Sequence, residues 1–417
     1  MLLVYIVFVA LLILCFVSPF KGVVVSSLCY ATFSCFSFGN YNVYFYLVIA
    51  LALMLNNVGR ENIYKREKFP FTWVFLISIL SYSISYILNP IGLHQGISTL
   101  INRLVPYALV YLLWLYYIPS RSNNKFYRNT LIIYITICCL IGLIEATTGI
   151  HFFDEFRQSV GQETAEIAEH QDRTDFFRTQ SLTVWSEAYG TIISFTICSL
   201  IYLFLNRTYR FSLYHAILFL LMSIGILTTN SRVIFVTFLI MCCGVLFSIS
   251  KNKKMFYIFA SLALLFVFIM SEVLLRISDS IINSDSTDGS SISMRLLQLD
   301  TTLKVTGKNL IFGNGLLSVS YYTDRYPMLF GAESIVFTSI LTRGIFGLLS
   351  VFLIWGHSIN YVIRKGKYYF IFMIIGFMFD KIFTLTYGLD ETFYLLYLIP
   401  MFRITEKMNT YQLDLKK

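Results

Sequence analysis

A polytopic all-α membrane bundle is the fold class this sequence predicts, and three observations predict it. Of its 417 residues, 57% are hydrophobic and only 13% charged, with a mean hydropathy of +0.70. Soluble domains carry about a quarter charged residues. The apolar residues stand in continuous runs of spanning length, unlike the short alternating stretches of an outer-membrane barrel. The interruptions between runs are of two kinds. Short ones are basic: Arg60–Lys68, Arg121–Arg128, Arg207–Arg210, Lys251–Lys254, Arg364–Lys367 and the tail Arg403–Lys417. Long ones, about 148–183 and 275–333, mix both charges with Ser, Thr, Asp and Tyr. Short loops rich in Lys and Arg mark the cytoplasmic side, which places both long segments on the opposite face. Backbone in lipid must satisfy its own hydrogen bonds, so the runs are helices.

Taken in order, the expected spans are about 2–18, 22–38, 41–55, 70–88, 104–118, 130–147, 184–205, 211–229, 233–250, 255–274, 335–360, 369–387 and 390–402. From residue 56 onward, two spans separate each basic link from the next. Val23–Phe38 is weakly hydrophobic; without it the count is twelve and the N-terminus is inside. About twelve spans are expected, in one integral membrane domain over residues 1–417. The first run, Leu2–Val17, lacks a basic leader and a small-residue cleavage site, so a retained span is expected. Within the 275–333 segment, apolar residues at 292, 296, 299 and 303 predict an amphipathic helix, with Ser291 able to cap it and Gly307 able to end it. It could lie along the membrane or cover the mouth of the bundle. Gly161–His170 could form a second, short helix.

Several function classes are excluded or disfavoured. The net charge of +9 reads as positive-inside bias, and no basic cluster is interleaved with stacking aromatics, so nucleic acid is not an expected partner. All eight cysteines fall inside apolar runs without zinc-ligand spacing, and the five histidines are scattered; neither a metal nor another cofactor is expected. No repeat of 20–50 residues is visible. Arginines on the face where ATP is absent point instead to an anionic, lipid-linked substrate.

Four places could carry that chemistry. Arg232 ends the very short turn Thr228–Ser231 and would be held at the membrane surface with little freedom. A guanidinium matches phosphate geometry and stays charged; alternatively, Arg232 is an interfacial anchor. Arg295 lies on the outer helix, ahead of Gly313-Asn314-Gly315. That Gly-x-Gly is a weak phosphate-cradle signal, lacking Lys-Ser/Thr, and is equally a tight turn. Glu333 begins a span and could act as a base toward a sugar hydroxyl, or could simply favour the helix start. Finally, Arg343 and Asp380 fall at similar expected depths, which predicts an interhelical ion pair; its first reading is registration of the bundle, and the alternative is that Arg343 lines a groove for the lipid carrier. Lys381 competes for Asp380, but neighbours on a helix do not face each other.

Read together, these segments resemble the bacterial O-antigen ligase/polymerase superfamily over roughly 140–350. The resemblance rests on Arg178-Thr179-Gln180-Ser181 followed by Glu187-Ala188-Tyr189-Gly190, on Thr229-Asn230-Ser231-Arg232, on Arg295 with Asn309 through Gly315, and on Glu333–Leu341 with Gly344-Ile345-Phe346-Gly347. Ligases of that superfamily carry a His-Asn pair where this chain has Glu333-Ser334, which turns the expectation toward polymerases. The resemblance implies a metal-independent glycosyltransferase of the inner membrane, with its long loops periplasmic. It would join undecaprenyl-pyrophosphate-linked glycans among membrane lipids, alongside assembly proteins such as a chain-length regulator. It implies Arg232, Arg295 and Glu333 as catalytic residues, and Arg178, Glu187, Gly313 and Gly315 as substrate-binding ones. A ligase-type transferase, a flippase or other transporter, and a structural assembly partner remain the alternatives.

Overall fold

The computed structural model describes residues 2–34, 36–55, 68–151, 177–183, 185–205, 212–249, 292–326, 329, 334–384 and 389–414. Over these the regular structure is helical, apart from one hairpin of two-residue strands, β1 (Ser37–Phe38) with β2 (Tyr41–Asn42). Four helices are long and apolar enough to cross a membrane, Ile97–Tyr116, Arg121–Thr148, Ser186–Leu205 and Ile335–Arg364, and shorter apolar helices accompany them. This is the composition of an integral membrane protein. The helices form two compact units.

The first unit comprises Met1–Pro70, Ile101–Thr229 and Thr386–Lys417. It contains α1 (Leu2–Val17), α2 (Pro19–Leu28), α3 (Tyr30–Phe33) and α4 (Val43–Met54). The expected 22–38 span is thus broken: Pro19 opens α2 tightly behind α1, α2 stops at Cys29, and the chain turns through the hairpin. Pro at a first helical position costs nothing, since its missing N–H would have no helical partner there. Gly22 permits the close approach, because a Cβ there would come within 2.6 Å of the Cys15 Cα. Of the described cysteines, Cys15, Cys138, Cys139 and Cys198 are buried.

Most of α6 (Ile97–Tyr116; α5 lies in the second unit) and α7 (Arg121–Thr148) follow in the first unit. The Arg121–Arg128 link proves to be helix: Ser120 Oγ accepts from the Asn123 N–H at 3.0 Å and caps α7. Its 28 residues run about 42 Å, more than a hydrocarbon core of about 30 Å requires. At the centre of the unit stands α8 (Ser186–Leu205), buried on every side between α7, α9 (Leu213–Thr228) and α15 (Phe393–Asp414). A helix apolar all round is what such a position demands. Tyr189 on α8 fits only because Gly142 and Gly225 face it: a Cβ at either would meet its hydroxyl at 2.3 or 2.8 Å.

The second unit comprises Phe71–Leu100 and Asn230–Leu385. It contains α5 (Thr72–Leu88), α10 (Arg232–Ile249), α11 (Ile292–Thr306), α12 (Ser318–Thr323), α13 (Ile335–Arg364) and α14 (Tyr369–Phe383). α10 packs along α14, α13 along α5 and α14, and α11 against α13. α11 has the expected limits, with Gly307 at φ +50° ending it. It buries Gln298, Thr302 and Thr306 and exposes Leu296, Leu297 and Leu303.

The feature least expected is a break inside α13. Gly344 has φ 66° and ψ −163°, outside helical space. A break strands backbone groups on both sides, which must be paired when buried. Here the Leu310–Gly315 segment pairs them. Asn314 N–H donates to Leu341 O (2.8 Å), Gly315 N–H to Thr342 O (3.2 Å), Ile345 N–H to Leu310 O (2.8 Å) and Phe346 N–H to Ile311 O (3.0 Å). Ser85 Oγ on α5 also donates to Thr342 O, at 2.5 Å. The loop and the broken helix therefore complete each other.

Candidate functional site

In the second unit, Arg295 and Ser334 meet the last turn of α14, and Arg232 opens α10 at the same level. The chain enters α10 through Asn230, whose φ of +48° makes the turn after α9 tight; Asn tolerates that conformation better than most side chains. Arg232 is then the first residue of α10. The α10–α14 register is set by small residues: a Cβ on Gly376 would come within 2.8 Å of Met241 Cγ, and one on Gly244 within 2.5 Å of Phe372 Cβ. Followed to the other end, this antiparallel register sets Arg232 level with Phe383. Arg295 arrives at the same place from α11, its guanidinium carbon 5.7 Å from the centre of the Phe383 ring. Ser334 joins from the start of α13: its hydroxyl donates to Ile382 O at 2.6 Å and accepts from Val336 N–H at 3.2 Å.

Three cationic side chains thus belong to this end of the unit, Arg232, Arg295 and Lys381. Lys381 is fully buried, with its Nζ 3.6 Å from Asp380 Oδ2. Among the described residues, charge at this end is net positive, and two helices begin there, which favours an anion. Sequence reasoning treated Lys381 only as a competitor for Asp380 and discounted it as an adjacent residue. A long, flexible lysine reaches its neighbour nonetheless. Arg343 donates to Ser339 Oγ at 3.2 Å and Ser81 Oγ at 3.5 Å, and its guanidinium lies 4.0 Å from the Tyr82 ring centre. Gly347 leaves room for it, since a Cβ there would meet Arg343 Cβ at 2.1 Å.

Gly313 and Gly315, expected at substrate, lie in a turn whose N–H groups are engaged with protein. A phosphate cradle requires free backbone N–H groups, and those of this turn are spent on Asn309, Leu341 and Thr342 carbonyls. Both glycines have positive φ, 76° and 103°. Their work is to lock α13. Glu333 lies outside the described residues, as do Gly161–His170, the 255–274 run and Ser291.

Arg178 and Glu187 lie in the first unit and pair with each other, Nη1 to Oε1 at 3.3 Å. Ser186 Oγ steadies the carboxylate at 3.0 Å. The segment carrying Arg178 is fastened at two points. Thr179 bonds Thr228 through backbone (3.0 Å) and hydroxyl (2.8 Å). Glu145, buried at the end of α7, accepts from the N–H groups of Gln180 (2.9 Å) and Ser181 (2.7 Å). Hydrogen bonds to a carboxylate are about twice as strong as neutral ones. Glu145 was missed from sequence because a lone acid near a span end looks like any interfacial charge. His151 sits nearby, 3.9 Å from Glu145 Oε2, with its ring stacked on Phe177 at 4.3 Å.

A second acidic pair in this unit, also missed, follows α14. Tyr107 donates to Glu391 Oε1 at 2.7 Å. Asp390 Oδ1 accepts from Thr392 N–H (2.9 Å) and Thr392 Oγ1 (2.6 Å). Burial, then the Glu391 charge, push the Asp390 carboxyl up to about 6, while the bonds from Thr392 and Tyr30 pull it down. A carboxyl whose folded value exceeds its unfolded one stabilises the fold when protonated, and that contribution is lost as pH rises from about 4 through about 6. Asp390→Asn should therefore raise the apparent Tm at pH 7 and leave it little changed at pH 4. Thermal unfolding in detergent at both values checks this; a lower Tm at pH 7 would contradict it.

The fold and site define a helical integral membrane protein with arginines converging at one end of a unit. Residues 217–352 match the family model described as O-antigen ligase, so the superfamily resemblance stands on that segment, which runs from α9 into α13. It holds Arg232, Arg295, Gly313, Gly315, Glu333 and Arg343, and leaves out Arg178 and Glu187. The family is one of ligase- and polymerase-type glycan transferases, acting on lipopolysaccharide-related, lipid-linked glycans. No curated protein and no solved structure matches the chain.

Proposed function

We propose that this protein polymerises lipid-linked oligosaccharide repeat units at the extracytoplasmic face of the inner membrane. The observation that carries this reading is Arg295 against Phe383 at the end of α14, with Arg232 opening α10 at the same level, both inside the family-matched segment. One lipid-linked chain is the donor, its anomeric carbon bonded to the undecaprenyl pyrophosphate. A sugar hydroxyl of a second unit attacks that carbon, the carbon–oxygen bond to pyrophosphate breaks, and the pyrophosphate leaves with the electron pair. Arg232 and Arg295 stabilise the charge that grows on it. Glu333, next in sequence to Ser334, takes the hydroxyl proton. Arg178, held by Glu187, contacts glycan. The activated linkage supplies the driving force, so the scheme uses neither ATP nor a metal. Glu333-Ser334 in place of His-Asn favours polymerisation over transfer to lipid A core.

Topology tests the face. Reporters fused after Arg66, Lys125, Lys253 and Lys365 should signal cytoplasm, and those at about Gly161 and Gly289 periplasm. A cytoplasmic signal at Gly289 removes this reading, because the arginines would then face the side opposite to the assembled glycan.

A further inference from the structure

We infer that the Gly307–Gly315 turn is a membrane wedge, its tip Ile311–Phe312 inserted into lipid rather than standing in an aqueous loop. Ile311 is 62% exposed and Phe312 38%, at the end of a turn where water would ordinarily meet polar side chains. This apolar surface is continuous with the outward face of α13. Phe312 and Phe346 rings meet at 6.1 Å, and Ile345, Leu349, Phe352 and Leu353 continue the exposed apolar face along the helix. The bilayer is the occupant that already covers that face in a membrane protein.

Depth agrees. Twenty residues separate Gly344 from Arg364, the basic end of α13, or about 30 Å of helix. A hydrocarbon core is also about 30 Å thick, so the break and the loop docked in it stand at the far hydrocarbon edge. α5 sets a lower level: Ser85, bonded to Thr342 O, lies thirteen residues beyond Thr72, or about 20 Å, which puts the docked loop inside the hydrocarbon rather than above it. The backbone agrees too. Irregular chain is tolerated at membrane depth only where protein satisfies its polar groups. The four exchanged hydrogen bonds between Leu310–Gly315 and Leu341–Phe346 pair four N–H groups and four carbonyls of this segment with protein. Above the tip, Lys308 and the exposed Lys304–Asp300 pair (2.5 Å) suit the headgroup layer, while α11 turns Leu296, Leu297 and Leu303 outward.

Wild-type protein in nanodiscs of phosphatidylethanolamine and phosphatidylglycerol, containing a phospholipid with a diazirine in its acyl chain, tests this. After irradiation and digestion, the peptide containing Ile311 and Phe312 should carry lipid adducts about as heavily as the peptide containing Phe352 and Leu353. Hydroxyl-radical labelling from the aqueous phase should leave Phe312 unmodified and reach the 320–326 segment. Adducts on the Phe352–Leu353 peptide without any at Ile311–Phe312 overturn the wedge, whatever the radical shows, as does radical oxidation of Phe312 in the nanodisc. Glycan elongation is not measured, so failure here leaves the polymerase reading standing, and loss of that reading leaves the wedge.

Discussion

Arg232→Ala and Arg295→Ala should each abolish long-chain polysaccharide in cells, leaving protein level and single-unit lipid intermediates intact. The expectation rests on where the leaving group's charge appears. Bond breaking transfers negative charge to pyrophosphate, and a positioned guanidinium is worth more to that transition state than to the bound substrate. Loss of one such donor commonly costs on the order of a hundred- to a thousand-fold in kcat. Arg→Lys should rescue poorly at either position, because a point charge cannot make the paired, planar contact. Structural collapse is not the expected cause, since Arg232 is only partly buried at a helix start and Arg295 lies at a ring face. Gel analysis of glycan chain length, with immunoblots for protein level, reads both. Wild-type chain lengths in the two alanine variants would remove the proposed roles.

Gly344→Ala should strongly impair folding. The added Cβ would stand 2.4 Å from both the carbonyl carbon and oxygen of Ile311, and backbone cannot step aside as a side-chain tip can. It would also occupy φ 66°, ψ −163°, a region open essentially to glycine alone. Backbone strain of that kind costs of order 1–3 kcal/mol before the clash is counted. The yield of monodisperse protein should fall several-fold. Gly356→Ala is the matched control on the same helix: it has a helical backbone and nothing within 4 Å of a new Cβ. There alanine should be neutral or stabilising by about 1 kcal/mol. Size-exclusion profiles and thermal unfolding separate the two. A Gly344→Ala protein as well behaved as Gly356→Ala would mean that α13 runs through this position unbroken.

The contrast between those glycines shows what was legible in the sequence. Hydropathy reports that a segment is buried in lipid or protein, so the helical class and helices such as α8 and α9 were readable. α11 was readable too, because its periodicity begins at Ile292 and Gly307 stops it. Hydropathy does not report backbone pairing. Residues 335–364 are apolar on both sides of Gly344, and the partner that permits the break lies some thirty residues earlier. Charge patterning has a similar limit: Arg121–Arg128 reads as a link although Ser120 caps a helix there.

The candidate site was legible by residue type more than by geometry. Arg232 and Arg295 were singled out because guanidinium suits phosphate, and the α10–α14 register with Phe383 brings them to one end. Gly313 and Gly315 carry the right letters for a cradle, but their N–H groups are committed to protein carbonyls. Glu187 was expected at substrate, and it holds Arg178. Lys381 was discounted as a chain neighbour of Asp380, and Glu145 escaped notice because its significance lies in the Gln180–Ser181 backbone it holds.

Purified wild-type protein in proteoliposomes, given undecaprenyl-pyrophosphate-linked repeat units and no ATP or added metal, tests the central claim most directly. A ladder of glycans rising one repeat at a time, each still lipid-linked and each step releasing undecaprenyl pyrophosphate, is the expected result. Transfer of glycan only to lipid A core, or movement of the units across the membrane with no new glycosidic bond, would contradict it.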